Sequence, residues 1–373
     1  MHNAAPVKLA ATALVALLAY GGVFASLMKT HGGDVSRMVV AGGGGVDPAK
    51  VPPGLTVIPN IGGYDGMMFY RLALDPFTRE QEAYGIKLDE PSYRQQRILY
   101  PLILWVLSLG NPERVPLLMP LVNLLGIAVM AAAAGALAMH YGLAPFWGLF
   151  FPLYPGFIVT FSRDTSEIAA WAFASCAMWT FAAQRWKLCT LLLCCAMLTR
   201  ETTLLLAIGI GLVWLFRRNV PPATFVIPGA LYAAWQAFLG WWWQQVPLLA
   251  GTPDRTIPFS GYVDTFIAAS SRRTAMDRIQ FMECIFWPLL VAIVIAVWRR
   301  SRAHSEWRAA WGGAFLLAAL LAHDVWGEHY AYMRALTELF ALSVAIVFGA
   351  GRGTRWTVAT VVAVLWWQVA KHV

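Results

Sequence analysis

Charge is scarce in this chain. Asp, Glu, Lys and Arg together make up 13% of its 373 residues, about half of what a soluble domain carries. Hydrophobic residues reach 59% and the mean hydropathy is +0.58. This composition excludes an ordinary soluble fold, and apolar stretches able to cross a roughly 30 Å hydrocarbon layer recur along most of the sequence. Cysteine is sparse too: Cys176, Cys189, Cys194 and Cys195 fall in predicted helices, and Cys284 lies near the start of another. None has zinc-ligand spacing with a nearby His, so they read as small apolar packing residues and no metal is expected. Also missing are a Walker loop, an Asp-x-Asp pair for a nucleotide-sugar metal, and a soluble domain of about 100 residues able to hold a nucleotide. The glycine run at 42–45 lacks a flanking strand and helix and reads as a flexible loop. Chemistry driven by a cytoplasmic nucleotide is excluded on these grounds, and no cofactor is expected.

What remains is a polytopic helical membrane protein, all-α in class. Its net charge of +8 comes in short clusters between apolar runs, such as Arg185/Lys187, Arg217/Arg218 and Arg299/Arg300/Arg302. That is how membrane proteins mark cytoplasmic loops, and it argues against a nucleic-acid surface. Lys8 precedes an apolar stretch over 9–28, whose length favours an uncleaved signal anchor over a cleaved signal peptide.

Placing the basic clusters inside threads the chain. Helix one (about 7–28) exits, and a long segment, 29–114, stays outside. Within it the apolar run 98–110 is too short for a comfortable span and reads as re-entrant or interfacial. Helices over about 115–139, 145–161 and 168–183 follow, the last two separated by a polar knot from Ser162 to Glu167. The run 188–216 is almost wholly apolar except for Arg200 and Glu201, and it is bracketed by basic residues at both ends. An ion near the bilayer centre costs roughly 2.5–3.5 kcal/mol on insertion scales. Two short helices meeting at Thr199-Arg200-Glu201-Thr202 satisfy both constraints, as a hairpin with the charged pair at the outer face. Further helices over about 222–245, 281–298, 309–322, 333–349 and 356–370 complete about eleven membrane segments, some short or re-entrant, with a second outer loop at 247–280.

Every polar knot then falls on the outer side. Asp65, in Gly63-Tyr64-Asp65-Gly66, is the sharpest signal, although Tyr-Asp-Gly is also a turn sequence. Asp164 and Glu167 suit a helix start, where the dipole favours carboxylates. Each Arg can equally form an ion pair or snorkel to the interface. The cluster of His323, Glu328, His329 and Tyr330 lacks metal-site spacing, and Trp241-Trp242-Trp243 reads as an interfacial aromatic belt.

The order of these strings resembles the GT-C superfamily of integral membrane glycosyltransferases over roughly residues 7–216. The strings concerned are Asp65 after the anchor helix, Tyr93-Arg94-Gln95-Gln96-Arg97-Ile98-Leu99-Tyr100-Pro101, Arg163-Asp164-Thr165-Ser166-Glu167 and Thr199-Arg200-Glu201-Thr202. They also look like bacterial members linked to cell-surface glycopolymers. The resemblance implies transfer of a sugar from a polyprenyl-phosphate carrier to a glycan or lipid acceptor, outside a bacterial inner membrane. Asp65 matches the catalytic carboxylate of the first outer loop. Arg94, Arg97, Arg163 and Arg200 are then candidates for the donor phosphate, where a planar guanidinium stabilises developing charge. Tyr64, Asp164, Glu167, Glu201, His329 and Tyr330 are candidates for the acceptor or sugar. Two readings compete: a transporter or flippase of a lipid-linked saccharide, and a non-catalytic accessory subunit in glycopolymer assembly.

Overall fold

The computed structural model describes residues 4–250, 257–271, 274–328 and 331–372. It is 74% helix with almost no strand. Among the described residues the helices are α1 (Ala4–Thr30), α2 (Asp65–Leu74), α3 (Pro91–Gln95), α4 (Leu99–Ser108), α5 (Val115–His140), α6 (Pro155–Ser162), α7 (Glu167–Ala182), α8 (Trp186–Thr199) and α9 (Leu204–Arg217). After these come α10 (Ala223–Trp243), α11 (Ser260–Ser271), α12 (Ala275–Val297), α13 (Ser305–Ala319), α14 (His323–Gly327), α15 (Ala331–Ala335), α16 (Thr337–Phe348) and α17 (Arg352–Ala370). A two-residue hairpin, Glu82–Ala83 with Ile86–Lys87, turns through Tyr84 and Gly85, both at positive φ.

Among the described residues, four stretches are long and apolar enough to cross a membrane: Ala5–Thr30, Pro112–His140, Ala223–Trp243 and Asp277–Val297. Three shorter apolar helices join them, α4, α8 and α16. The run expected to re-enter at 98–110 is the ten-residue α4, closed by Leu109 in the left-handed region. Its length of about 15 Å covers half a bilayer core.

Two expected helices are broken. The segment 145–161 is a 3-10 turn, Pro145–Phe150, followed by α6. Pro152 and Pro155 lack the N–H groups a continuous helix would use, and Pro155 instead opens α6. The 3-10 turn lies directly on α5, where a side chain at Gly148 would run into the carbonyl of Ala131 and the backbone of Gly135. Small residues of this kind let membrane helices approach backbone to backbone. The segment 333–349 breaks at Leu336 into α15 and α16. There the Arg334 carbonyl is diverted from the helical ladder, accepting from Thr337 Oγ1 at 2.7 Å and Arg200 Nη2 at 3.1 Å.

The run 188–216 does form two helices, α8 and α9, separated by Arg200 in an extended conformation. Their far ends return to one end of the bundle. Trp186, opening α8, packs edge-on to Phe181, which in turn packs on His304. Asn219, just beyond α9, donates to Glu306 at 2.9 Å. The same end gathers Tyr141 against His304, the Arg302 N–H on the Gly349 carbonyl, and Arg355 over the Trp147 ring. The basic turns therefore meet at one end of the bundle, and the Arg200 apex points away from them. The main core runs between the two ends, with Tyr20, Phe157, Trp171, Trp307 and Phe340 among its fully buried side chains, and a separate cluster around α2 and α4 gathers Phe69, Leu72, Tyr100 and Leu104.

Candidate functional site

The acids of the site sit where helices begin. Asp65 is the first residue of α2, Glu167 the first of α7 and Glu338 the second of α16, while Glu201 opens the 3-10 turn that leads into α9. Unpaired N–H groups at a helix start favour a carboxylate there. The cations come from helix ends and breaks: Arg94 in the last turn of α3, Arg200 at the end of α8 and Arg334 in α15. Each ion is therefore displaced from the apolar interior of its own helix, and the bundle brings these ends together.

They join in a continuous chain of alternating charge. Asp89 accepts from Arg94 Nε at 2.8 Å and Nη2 at 2.6 Å, while Arg94 Nη1 reaches Asp65 Oδ1 at 2.7 Å. Asp65 Oδ2 accepts from Arg334 Nη2, also at 2.7 Å. The same Nη2 lies 2.6 Å from Glu167 Oε1, with Arg334 Nε at 2.9 Å. Arg200 Nη1 donates to Glu167 Oε1 as well, and Arg200 Nε to Glu338 Oε1 at 3.1 Å. Thr165 holds Glu167, while Thr202 and Trp171 hold Glu338. Beside the chain, Arg97 forms a two-pronged pair with Glu201 at 2.6 and 2.8 Å and also donates to the Tyr93 hydroxyl.

Exposure is graded along the chain. The Glu167 side chain is 0% exposed, Arg200 6% and Arg334 8%, against 16% for Arg94, 23% for Asp65 and 48% for Asp89. Asp65 thus lies between the exposed Asp89 and the buried Glu167–Arg200 end of the array. Burial by itself raises its pKa, but the guanidiniums of Arg94 and Arg334 outweigh burial and hold the carboxyl well below the usual range. Burial likewise pushes Asp89 up, and its bonds to Arg94 reverse the shift.

Close approach of α2 depends on Gly66. A Cβ there would collide with the carbonyls of Arg163 and Val39, so the start of α2 rests directly on the turn before α7. In that turn Asp164 adopts φ 48°, in the left-handed region. Tyr64 lies between two cations, its ring centre 5.1 Å from the Arg163 guanidinium and 5.0 Å from that of Arg334.

Of the residues singled out by sequence, Asp65, Arg94, Arg97, Glu167, Arg200 and Glu201 enter the array, and Tyr64 and Arg163 flank it. Asp164 does not join: its side chain is fully buried behind the turn, without an ion pair among the described residues. His329 and Tyr330 lie outside the described residues. His323 is exposed and pairs with Asp264 at 3.4 Å, apart from the charge chain. Trp242 and Trp243 tie down the segment between α2 and α4. Trp242 donates to the Thr78 carbonyl at 3.1 Å and Trp243 to Gln95 Oε1 at 2.6 Å, with Arg79 stacked 3.6 Å from the Trp242 ring centre.

Sequence reasoning missed Asp89, Arg334 and Glu338. For the last two a signal existed: both are charges beside or within an apolar run, as Arg200 is. Asp89 had none, since an acid in a long polar segment looks like any solvated side chain.

The fold and site together define a helical membrane protein with an inter-helix arginine–carboxylate array at one end of its bundle. No family model, curated protein or solved structure matches the chain.

Proposed function

We propose that this chain is a multi-pass membrane glycosyltransferase, moving a sugar from a polyprenyl-phosphate carrier to a cell-surface glycan or lipid acceptor. The observation that carries this reading is Asp65, a partly exposed carboxylate beside a cluster of arginines, at the opposite end of the bundle from the basic turns. With those turns in the cytoplasm, the chain crosses in about eleven segments and the array faces outward from a bacterial inner membrane.

In this reaction the acceptor oxygen attacks the anomeric carbon as the bond from that carbon to the phosphate oxygen breaks. The acceptor proton passes to Asp65, and polyprenyl phosphate leaves with the bonding electrons. A phosphate leaving group needs cations more than a proton donor, which suits a site rich in Arg. Arg94 and Arg334 flank the base directly, whereas Arg97 and Arg200 are held by Glu201, Glu167 and Glu338 and keep the array in register. A translocation path for a lipid-linked saccharide would instead need polar groups along the bundle, and the buried ion pairs described here gather at one end.

The test is transfer in vitro. Purified protein, a synthetic polyprenyl-phosphate sugar and a membrane extract as acceptor should release polyprenyl phosphate and label the acceptor. Asp65→Asn should insert normally and lose transfer. Wild-type transfer by that variant would remove Asp65 as the base, and no transfer by the wild type would remove the reading.

A further inference from the structure

Asp65 is badly placed to accept a proton as it stands. Both of its oxygens are taken by guanidiniums, Oδ1 by Arg94 and Oδ2 by Arg334, each at 2.7 Å. A carboxylate so clamped is a weak base, and general-base catalysis is most effective when the base is poised near the working pH. Something must loosen the clamp.

The geometry of Arg334 indicates how. Its Nη2 is shared between two carboxylates, Asp65 Oδ2 at 2.7 Å and Glu167 Oε1 at 2.6 Å. Glu167 is sealed, also holding Arg334 Nε, Arg200 and Thr165. Asp65 is the exposed partner of the two. Arg94 resembles Arg334 in this respect, since two of its nitrogens are fixed to Asp89 and only Nη1 turns to Asp65. An anion entering from the open side meets Asp89 and Asp65, and Asp65 is the carboxylate whose displacement frees a donor on both arginines.

Charge balance points the same way. The five acids Asp65, Asp89, Glu167, Glu201 and Glu338 share the four arginines Arg94, Arg97, Arg200 and Arg334, so within these ion pairs the carboxylates outnumber the guanidiniums. Each of these four guanidiniums is already held by at least one carboxylate. A phosphate reaches Arg94 or Arg334 by taking guanidinium contacts from a carboxylate already there.

We infer that the carrier phosphate displaces Asp65 from Arg334 and Arg94, so that donor binding itself frees the base. Asp65 is the phosphate's resident competitor before it is a proton acceptor. This rests on the polyprenyl-phosphate reading above and adds to it the order of events. The phosphate takes the guanidinium N–H groups, the freed carboxylate gains basicity beside a new anion, and the acceptor hydroxyl then gives up its proton to it. No bond is made or broken in the exchange itself.

The exchange makes a prediction opposite to that for a carboxylate that simply holds the site together. Binding of a synthetic polyprenyl monophosphate to the full-length protein in detergent is compared with binding of the same polyprenol lacking phosphate. Asp65→Asn and Asp65→Ala should both bind the phosphate about ten-fold tighter than wild type, because a like charge has been removed from beside it. Polyprenol binding should be unchanged. Arg334→Gln should bind the phosphate about ten-fold more weakly. If both Asp65 variants are folded at the assay temperature yet bind the phosphate no tighter than wild type, the exchange is overturned and the carrier reading stands. If no form prefers the phosphate over the polyprenol, both fall.

Discussion

Glu167→Gln probes the centre of the array with the least change in shape. The native side chain is fully buried, and its Oε1 accepts from Arg334 Nε and Nη2 and from Arg200 Nη1. The amide keeps an oxygen for one guanidinium and removes the charge that two of them share. Breaking a buried pair by removing one partner costs about 3–5 kcal/mol. Each guanidinium retains a second carboxylate, Glu338 for Arg200 and Asp65 for Arg334. The expected loss therefore sits at the low end, about 3 kcal/mol, rather than at twice the range. Denaturant unfolding of the purified protein in a fixed detergent measures it. Arg334→Gln added to Glu167→Gln removes a cation that has already lost one of its two carboxylates, so the double variant should be less destabilised than the sum of the singles by about 2 kcal/mol. Strict additivity would refute the claim that these two side chains are energetically one unit.

Two further outcomes follow from the same geometry. Arg94 and Arg334 hold the Asp65 pKa below its unfolded value, so the carboxylate contributes stability above about pH 4, and that contribution fades as pH falls through the lower folded value. The stability difference between wild type and Asp65→Asn should stay constant from neutral pH down to about 4, then shrink by about 1.4 kcal/mol per pH unit; a flat difference down to pH 3 would contradict the pairing. Trp243→Phe keeps the ring bulk but loses the 2.6 Å bond to Gln95, at a cost of about 1 kcal/mol. Amide exchange over residues 76–96 should rise in that variant, and unchanged protection would mean that the Trp clamp does not hold the segment.

Much of this could be read from one chain because membrane insertion penalises charge so heavily. Arg200-Glu201 stood out against a run of Leu, Ile and Val, and bracketing by basic residues was enough to predict two short helices with the pair at their junction. Asp65, Arg94, Arg97 and Glu167 were legible for a similar reason, being polar residues close to helix starts and ends. The continuous helices expected at 145–161 and 333–349 were not continuous. Hydropathy reports the mean environment of a segment and is blind to where a carbonyl is diverted, as at Arg334, or where prolines withhold donors, as at 152 and 155.

By itself the sequence determined the class: too little charge for a soluble fold, and basic clusters spaced so that they collect at one end of a bundle. It also determined which residues carry a cost in lipid and therefore need partners. It did not determine the partners. That Asp65 is held by Arg334, 269 positions away, and that Glu167 joins Arg200 to Arg334, depends on which helix ends the packing brings together. Charge pairing is a matter of a few ångströms in space, and only the tertiary structure sets those distances.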